Sequence, residues 1–356
     1  MRALLLLAAA LAQCVPALAG DRVNVRWQTK TGTSAALPPG FPESAQAALA
    51  AWEPFLKSAG YRVDVDTKGR VLLCTSEKDS HADALLRQLA KVDSWIDARF
   101  PASAGEAEDK TAPDCAALFV LRNPEDYAAL LAQLAAVAPN LASWASQAGK
   151  ETGFVLIDPL CAAFLESAPG MKEWSPVHEL IDRAAQLFFL QRHGEQPYWL
   201  QQGVAWAAEW AYDGTLYSFP YRSEFVFATE HGAWPGELRT LAKERGEKPI
   251  DLGEFCAMRR GSWDAQRARL SFGAASFLAL QPGDKLAQAL HDLRAFREDN
   301  NRTYKDDGSW VSDPSYEVPA EKQLELLEAR LGPKLMERVT AFLAKGNESF
   351  KGLAKP

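Results

Sequence analysis

The sequence predicts an α+β protein, with a small mixed sheet and helices in the N-terminal half and a helical C-terminal half. Three observations predict it. Short apolar runs bounded by Gly, Pro and Asp recur up to about residue 170, as strands mixed with helices do. Beyond that point apolar residues fall at helical spacing almost throughout. With 47% hydrophobic and 24% charged residues in 356, the chain has the composition of a protein with a substantial core. A formal net charge of -7 opposes general nucleic-acid binding, which needs a basic stripe to release counterions.

The first element is a leader. Arg2, the apolar run 4–12 and Ala17-Leu18-Ala19 have the order of a secretory signal peptide cleaved near Ala19. The run is too short for a membrane span, and Gln13 argues against lipid anchoring at Cys14. Export, periplasmic or extracellular, is therefore expected, with no membrane span in the mature chain. Cys74, Cys115, Cys161 and Cys256 remain after cleavage. None forms a C-x-x-C pair, and disulfides and buried thiols are both open readings.

Residues 20–60 read as an early strand or arm and a loop, followed by a helix carrying Ala47, Leu49, Trp52 and Leu56. An α/β region follows over 61–170. Its strands are 61–65, 70–74 after a Lys68-Gly69 turn, 115–121 and 153–157. Its helices are 80–99, with Leu85, Leu89, Val92, Trp95 and Ile96 on one side, and one opened by Asn123-Pro124. A Pro/Ala/Glu/Asp linker separates them at 101–113. The helical region, 171–350, carries runs at 176–193, 197–212, 236–245, 263–281, 283–297 and 319–345, with a polar loop at 297–316.

One constellation carries chemistry. Val177-His178-Glu179-Leu180-Ile181-Asp182-Arg183 puts His178 and Asp182 one turn apart on a helix face. It is nearly the zincin pattern H-E-x-x-H, two zinc-binding His with a Glu base, with an Asp in place of the second His. Downstream comes Pro197-Tyr198-Trp199-Leu200-Gln201-Gln202-Gly203-Val204-Ala205. Together they resemble the gluzincins, the thermolysin- and aminopeptidase-like metallopeptidases, and most of all their secreted bacterial peptidase-MA-like branch of unknown function. The resemblance implies a zincin-like fold in which the His178 helix floors a cleft closed by the helical half. It implies His178, Asp182 and Gln202 as metal positions, Glu179 as the base, and a transition-state Tyr near Phe272, on the run 270–278.

The departures bear on function. Asp182 replaces a His, Gln202 a Glu and Phe272 a Tyr. Neutral Gln is a poor zinc ligand, and three altered roles are the mark of a pseudoenzyme. Three functions are expected: a pseudopeptidase that binds a peptide or protein in its cleft without zinc; an atypical zinc peptidase in which His178 and Asp182 hold the metal, a third ligand comes from Gln202 or elsewhere, and Glu179 activates water; or an envelope- or carbohydrate-binding protein using its Trp residues. Each site residue also has a structural reading. His178 and Asp182 can hydrogen-bond each other. Glu179 and Arg183 form an i,i+4 ion pair. Gln202 can serve as a core hydrogen-bonding residue, and Trp199, Trp206 and Trp210 as a core stripe. His193 suits a helix C-terminus; His81, His231 and His291 have no named partner. Asn301 and Asn347 begin glycosylation sequons.

Overall fold

The computed structural model describes residues 23–25, 37, 42–65, 70–76, 82–103, 115–167, 174–217, 232–257, 264–304, 310–313 and 315–354. The expected leader, the Lys68-Gly69 turn, His81 and His231 lie outside these residues. The fold is α+β, as the sequence predicts. Strand β1 (Val23–Val25) is followed by α1 (Glu43–Ala59), β2 (Tyr61–Val65), β3 (Val71–Ser76), α2 (Ala82–Arg99) and β4 (Ala116–Leu121). Then come α3 (Pro124–Val137), α4 (Ala142–Ala148), β5 (Gly153–Ile157) and β6 (Leu160–Leu165). The six strands form one sheet in the order β1-β2-β3-β4-β6-β5. β3, β4 and β6 are mutually parallel, and the remaining pairings are antiparallel.

Both faces of the central strands are covered, so β3 and β4 are buried along their whole length. Side chains alternate between two cores. Leu73, Leu118, Val120 and Phe164 face α2 and the helical region, and Leu72, Cys74, Phe119, Cys161 and Ala163 face α1, α3 and α4. All four cysteines of the described residues are buried free thiols, which settles the question the sequence left open.

The helical region begins with α5 (Pro176–His193) and α6 (Tyr198–Asp213). It continues through α7 (Trp234–Glu244), α8 (Ala265–Leu278), α9 (Gly283–Asn300), α10 (Ala320–Leu331), α11 (Leu335–Leu343) and α12 (Asn347–Phe350). Helix α5 packs on the sheet beside α2, α6 packs on α5, and α8 on α6. Because α5 is the middle layer, every residue from His178 to Leu190 is buried. Polar groups on such a helix must find partners inside the protein.

The sequence expectation differs at several places, one of them the short helix α4, which it did not give. The run 319–345 is broken into α10 and α11, because Gly332 at φ 92° and Lys334 at φ 58° leave the helical region around Pro333. The expected loop 297–316 contains a ribbon of β7 (Arg302–Tyr304) and β8 (Trp310–Ser312). Strand β6 was missed, because Leu160-Cys161-Ala162-Ala163-Phe164-Leu165 has neither alternation nor β-branched residues. No helix among the described residues is long and apolar enough to cross a membrane.

Candidate functional site

Helix α5 starts on Ser175, whose side chain accepts a hydrogen bond from the His178 backbone N–H at 3.4 Å, with Pro176 in the first turn. This cap places His178, Glu179 and Asp182 at the N-terminal end of α5. Helix α6 starts after Pro197 and ends at Gly214, φ 68°. The motif residues of α6 have packing roles. The Trp199 indole N–H donates to Gln323 Oε1 at 2.8 Å, and its ring meets Phe255 edge-on at 5.2 Å. Leu200 and Ala205 are fully buried. A Cβ at Gly203 would come within 2.6 Å of the Ser271 carbonyl oxygen and 2.8 Å of the Ala275 methyl. Gly203 therefore allows α8 to cross α6 at backbone distance.

The polar residues of the two helices form two linked groups. In the first, His178 lies between carboxylates of α6. Its Nδ1 is 2.8 Å from Glu209 Oε2 and its Nε2 is 2.7 Å from Asp213 Oδ2. The Tyr217 backbone N–H also donates to Glu209 Oε2, at 2.8 Å, and the Tyr217 ring lies 5.4 Å from the imidazole. Two carboxylates on the two ring nitrogens call for a donor at each, which is the imidazolium. Burial disfavours that charge, but the hydrogen bonds and charges of Glu209 and then Asp213 outweigh it and raise the His178 pKa from 6.5 to about 9.

In the second group, Asp182 accepts three hydrogen bonds. Arg183 Nη1 and Gln186 Nε2 donate to Oδ1 at 2.6 and 2.7 Å, and Gln202 Nε2 donates to Oδ2 at 2.8 Å. Arg183 Nη2 donates to Glu179 Oε2 at 2.9 Å. Gln202 Oε1 accepts from Gln186 at 3.2 Å, and Gln201 donates to Gln186 Oε1 at 3.0 Å. Burial pushes the Asp182 carboxyl up to about 7; Arg183 pulls against this, Glu209 and Glu179 reinforce it, and Gln202 opposes it. The guanidinium of Arg183 stays charged despite burial because Glu179 and Asp182 flank it.

The structure thus brings His178, Glu179, Asp182 and Gln202 to one junction, but gives them other partners than the sequence suggests. His178 binds Glu209 and Asp213 rather than Asp182. The Glu179–Arg183 pair forms as its i,i+4 spacing implies. Gln202 is a core hydrogen-bonding residue, 1% exposed. The four residues do not floor an open cleft, since His178 is 7%, Glu179 4% and Asp182 0% exposed.

These donors do not fit zinc. A zinc ligand must offer a lone pair, and neither ring nitrogen of His178 has one while both donate. Asp182 and Glu179 are both paired to Arg183, and Gln202 turns its amide N–H₂ towards Asp182. Among the described residues, no three His, Cys, Asp or Glu side chains are grouped to hold a metal ion.

Phe272 lies in an aromatic cluster, stacked on Phe350 at 4.9 Å and beside Trp210 and Trp234. Trp199 and Trp206 are buried and Trp210 half-buried, which makes the Trp stripe core. His193 ends α5 as expected, but its Nε2 bonds the Phe100 carbonyl at 3.0 Å inside the core. Asn301 is buried and so poorly placed for glycosylation, whereas Asn347 is exposed.

Glu209 and Asp213 were not singled out from the sequence. The available signal was a carboxylate on an otherwise apolar helix, Ala207-Ala208-Glu209-Trp210, with a second one four residues on. A separate cleft of about 450 Å³ lies between α3, α4 and the end of β6, lined by Tyr127, Leu131, Ala145, Gly149, Thr152 and Leu165. No family model and no curated protein matches this chain.

Proposed function

We propose that this chain is an exported, gluzincin-like pseudopeptidase that works by binding a peptide and not by hydrolysing it. One observation carries the reading: every side chain the peptidase chemistry would need is engaged by a protein partner. Glu179, which would have to take a proton from water, is paired to Arg183 at 2.9 Å. His178, which would have to offer a lone pair, is held by Glu209 and Asp213. The H-E-x-x-D helix and the Pro197–Ala205 motif support the kinship; the export reading rests on the leader.

Binding is assigned to the cleft beside α3 and α4. Its volume is of the order of small-ligand sites, and its floor of Tyr127, Leu131, Ala145 and Leu165 suits an apolar side chain of a bound peptide.

The test begins with metal content. Residues 20–356 are incubated with zinc, dialysed and assayed for metal and for cleavage of a mixed peptide library, beside His178→Ala. The expected result is no stoichiometric zinc and no chelator-sensitive cleavage in either. About one zinc per wild-type chain, lost in His178→Ala and accompanied by cleavage, would establish the atypical peptidase instead. On a peptide array, Ala145→Trp should abolish binding by filling the cleft; unchanged binding would remove the cleft from the proposal.

A further inference from the structure

Arg183 has no counterpart among the roles the zinc-peptidase pattern assigns, yet it is the centre of the junction. It is 8% exposed and its two carboxylate partners are 4% and 0% exposed. Its Nη1 and Nη2 go to different residues, Asp182 at 2.6 Å and Glu179 at 2.9 Å, so one guanidinium bridges two buried carboxyl groups. Without a cation between them, two buried carboxylates one turn apart would each face a large desolvation cost.

A second observation comes from the sheet. Gly153, the first residue of the edge strand β5, lies against this guanidinium. A Cβ there would stand 3.2 Å from Arg183 Nε and 2.6 Å from the Ala163 carbonyl oxygen. The strand therefore passes as bare backbone where Arg183 lies. Nε itself makes no hydrogen bond. Both terminal nitrogens are used on the carboxylates while the third N–H is left buried, which is the arrangement expected of a residue placed for its charge.

The remaining lone pairs of Asp182 are taken by the amides of Gln186 and Gln202. A divalent ion would have to reach the same oxygens at about 2.0–2.2 Å, where the guanidinium and the amide N–H groups already stand.

We infer that Arg183 is a resident counter-cation that holds the α5–α6 junction together and closes it to divalent metal. This rests on the metal-free reading above and adds the residue responsible for it. Restoring the peptidase residues alone should then fail: Asp182→His with Gln202→Glu leaves Arg183 in place and should stay metal-free.

The experiment is thermal unfolding of residues 20–356, each variant measured with EDTA, zinc, manganese or calcium. Wild type should melt at one temperature in all four. Arg183→Met should melt at least 5 °C lower in EDTA and recover at least half of that loss with one of the ions. Arg183→Lys, which keeps the charge but not the fork, should melt between the two and stay insensitive to metal. The triple variant Glu179→Gln, Asp182→Asn, Arg183→Met removes anions and cation together and should fold near wild type without a metal response. Arg183→Met at the wild-type temperature, or lowered but blind to every ion, would overturn the inference. If Arg183→Met does not fold, the triple variant decides: folded, it supports the counter-cation; unfolded, it refutes it. A metal response in wild type would instead count against the metal-free reading itself.

Discussion

His178 shows how a side chain with one expected role acquires another from its neighbours. An imidazole with a lone pair can ligate a metal; the same imidazole between Glu209 and Asp213 becomes a cation. Because the folded state raises its pKa from 6.5 to about 9, the stabilisation is fully present below pH 6.5 and is lost as pH rises through about 9. The size is up to roughly 3 kcal/mol. Urea midpoints measured from pH 6 to pH 9.5 should fall across that window in wild type, and His178→Gln should flatten the dependence. A wild-type midpoint that holds level across the window would contradict the imidazolium assignment. Glu209→Gln removes the buried partner and leaves a charge to be accommodated, a change that costs about 3–5 kcal/mol. It should also return the His178 titration, followed by NMR, towards 6.5 or below.

Helices α5 and α6 set how close the polar groups come. The α6–α8 crossing depends on Gly203, since the backbone of Ser271 and the methyl of Ala275 occupy the space of a Cβ. Gly203→Ala should therefore destabilise by about 1–3 kcal/mol, although Ala is the better helix former; a gain in melting temperature would show that α8 can withdraw without cost. This also explains much of the motif on α6. Trp199, Leu200, Gly203 and Ala205 hold α6 against its neighbours, a requirement independent of any metal. Packing alone is thus enough to account for these motif residues. The break between α10 and α11 is set by Gly332-Pro333-Lys334, a local signal that the regular apolar spacing on either side obscures.

At the scale of the molecule, the sheet separates two cores. Cys74, Cys115 and Cys161 belong to the α1, α3 and α4 side. β4 lies between β3 and β6, so Cys74 and Cys161 are two strands apart, about 10 Å, beyond the roughly 7 Å that a disulfide spans. A protein of residues 20–356 should therefore give no reaction with a thiol reagent when folded, and four thiols when denatured without reductant, those of Cys74, Cys115, Cys161 and Cys256. Fewer than four in the denatured protein would reveal a disulfide and a different packing of this face. The same layering buries α5 on all sides, which is why its polar residues form an internal network.

Much of the architecture was legible because it follows from local chemistry. Apolar runs marked β2, β3, β4 and β5, the Asn123-Pro124 start marked α3, and helical apolar spacing marked α5. The i,i+4 spacing also gave the Glu179–Arg183 pair, since both partners lie on one helix. The partners of His178 and Asp182 were not legible in the same way. Glu209 is 31 residues and Asp213 is 35 residues from His178, and Gln202 is 20 from Asp182. Nothing local orders those distances, because they depend on how α6 lies against α5, and that depends in turn on Gly203 and α8. The sequence by itself determined the fold class, the helices of the junction and the residue types available to it. Only the tertiary structure decided which nitrogen faces which carboxylate, because burial makes each polar group take the partner that packing brings within hydrogen-bond reach.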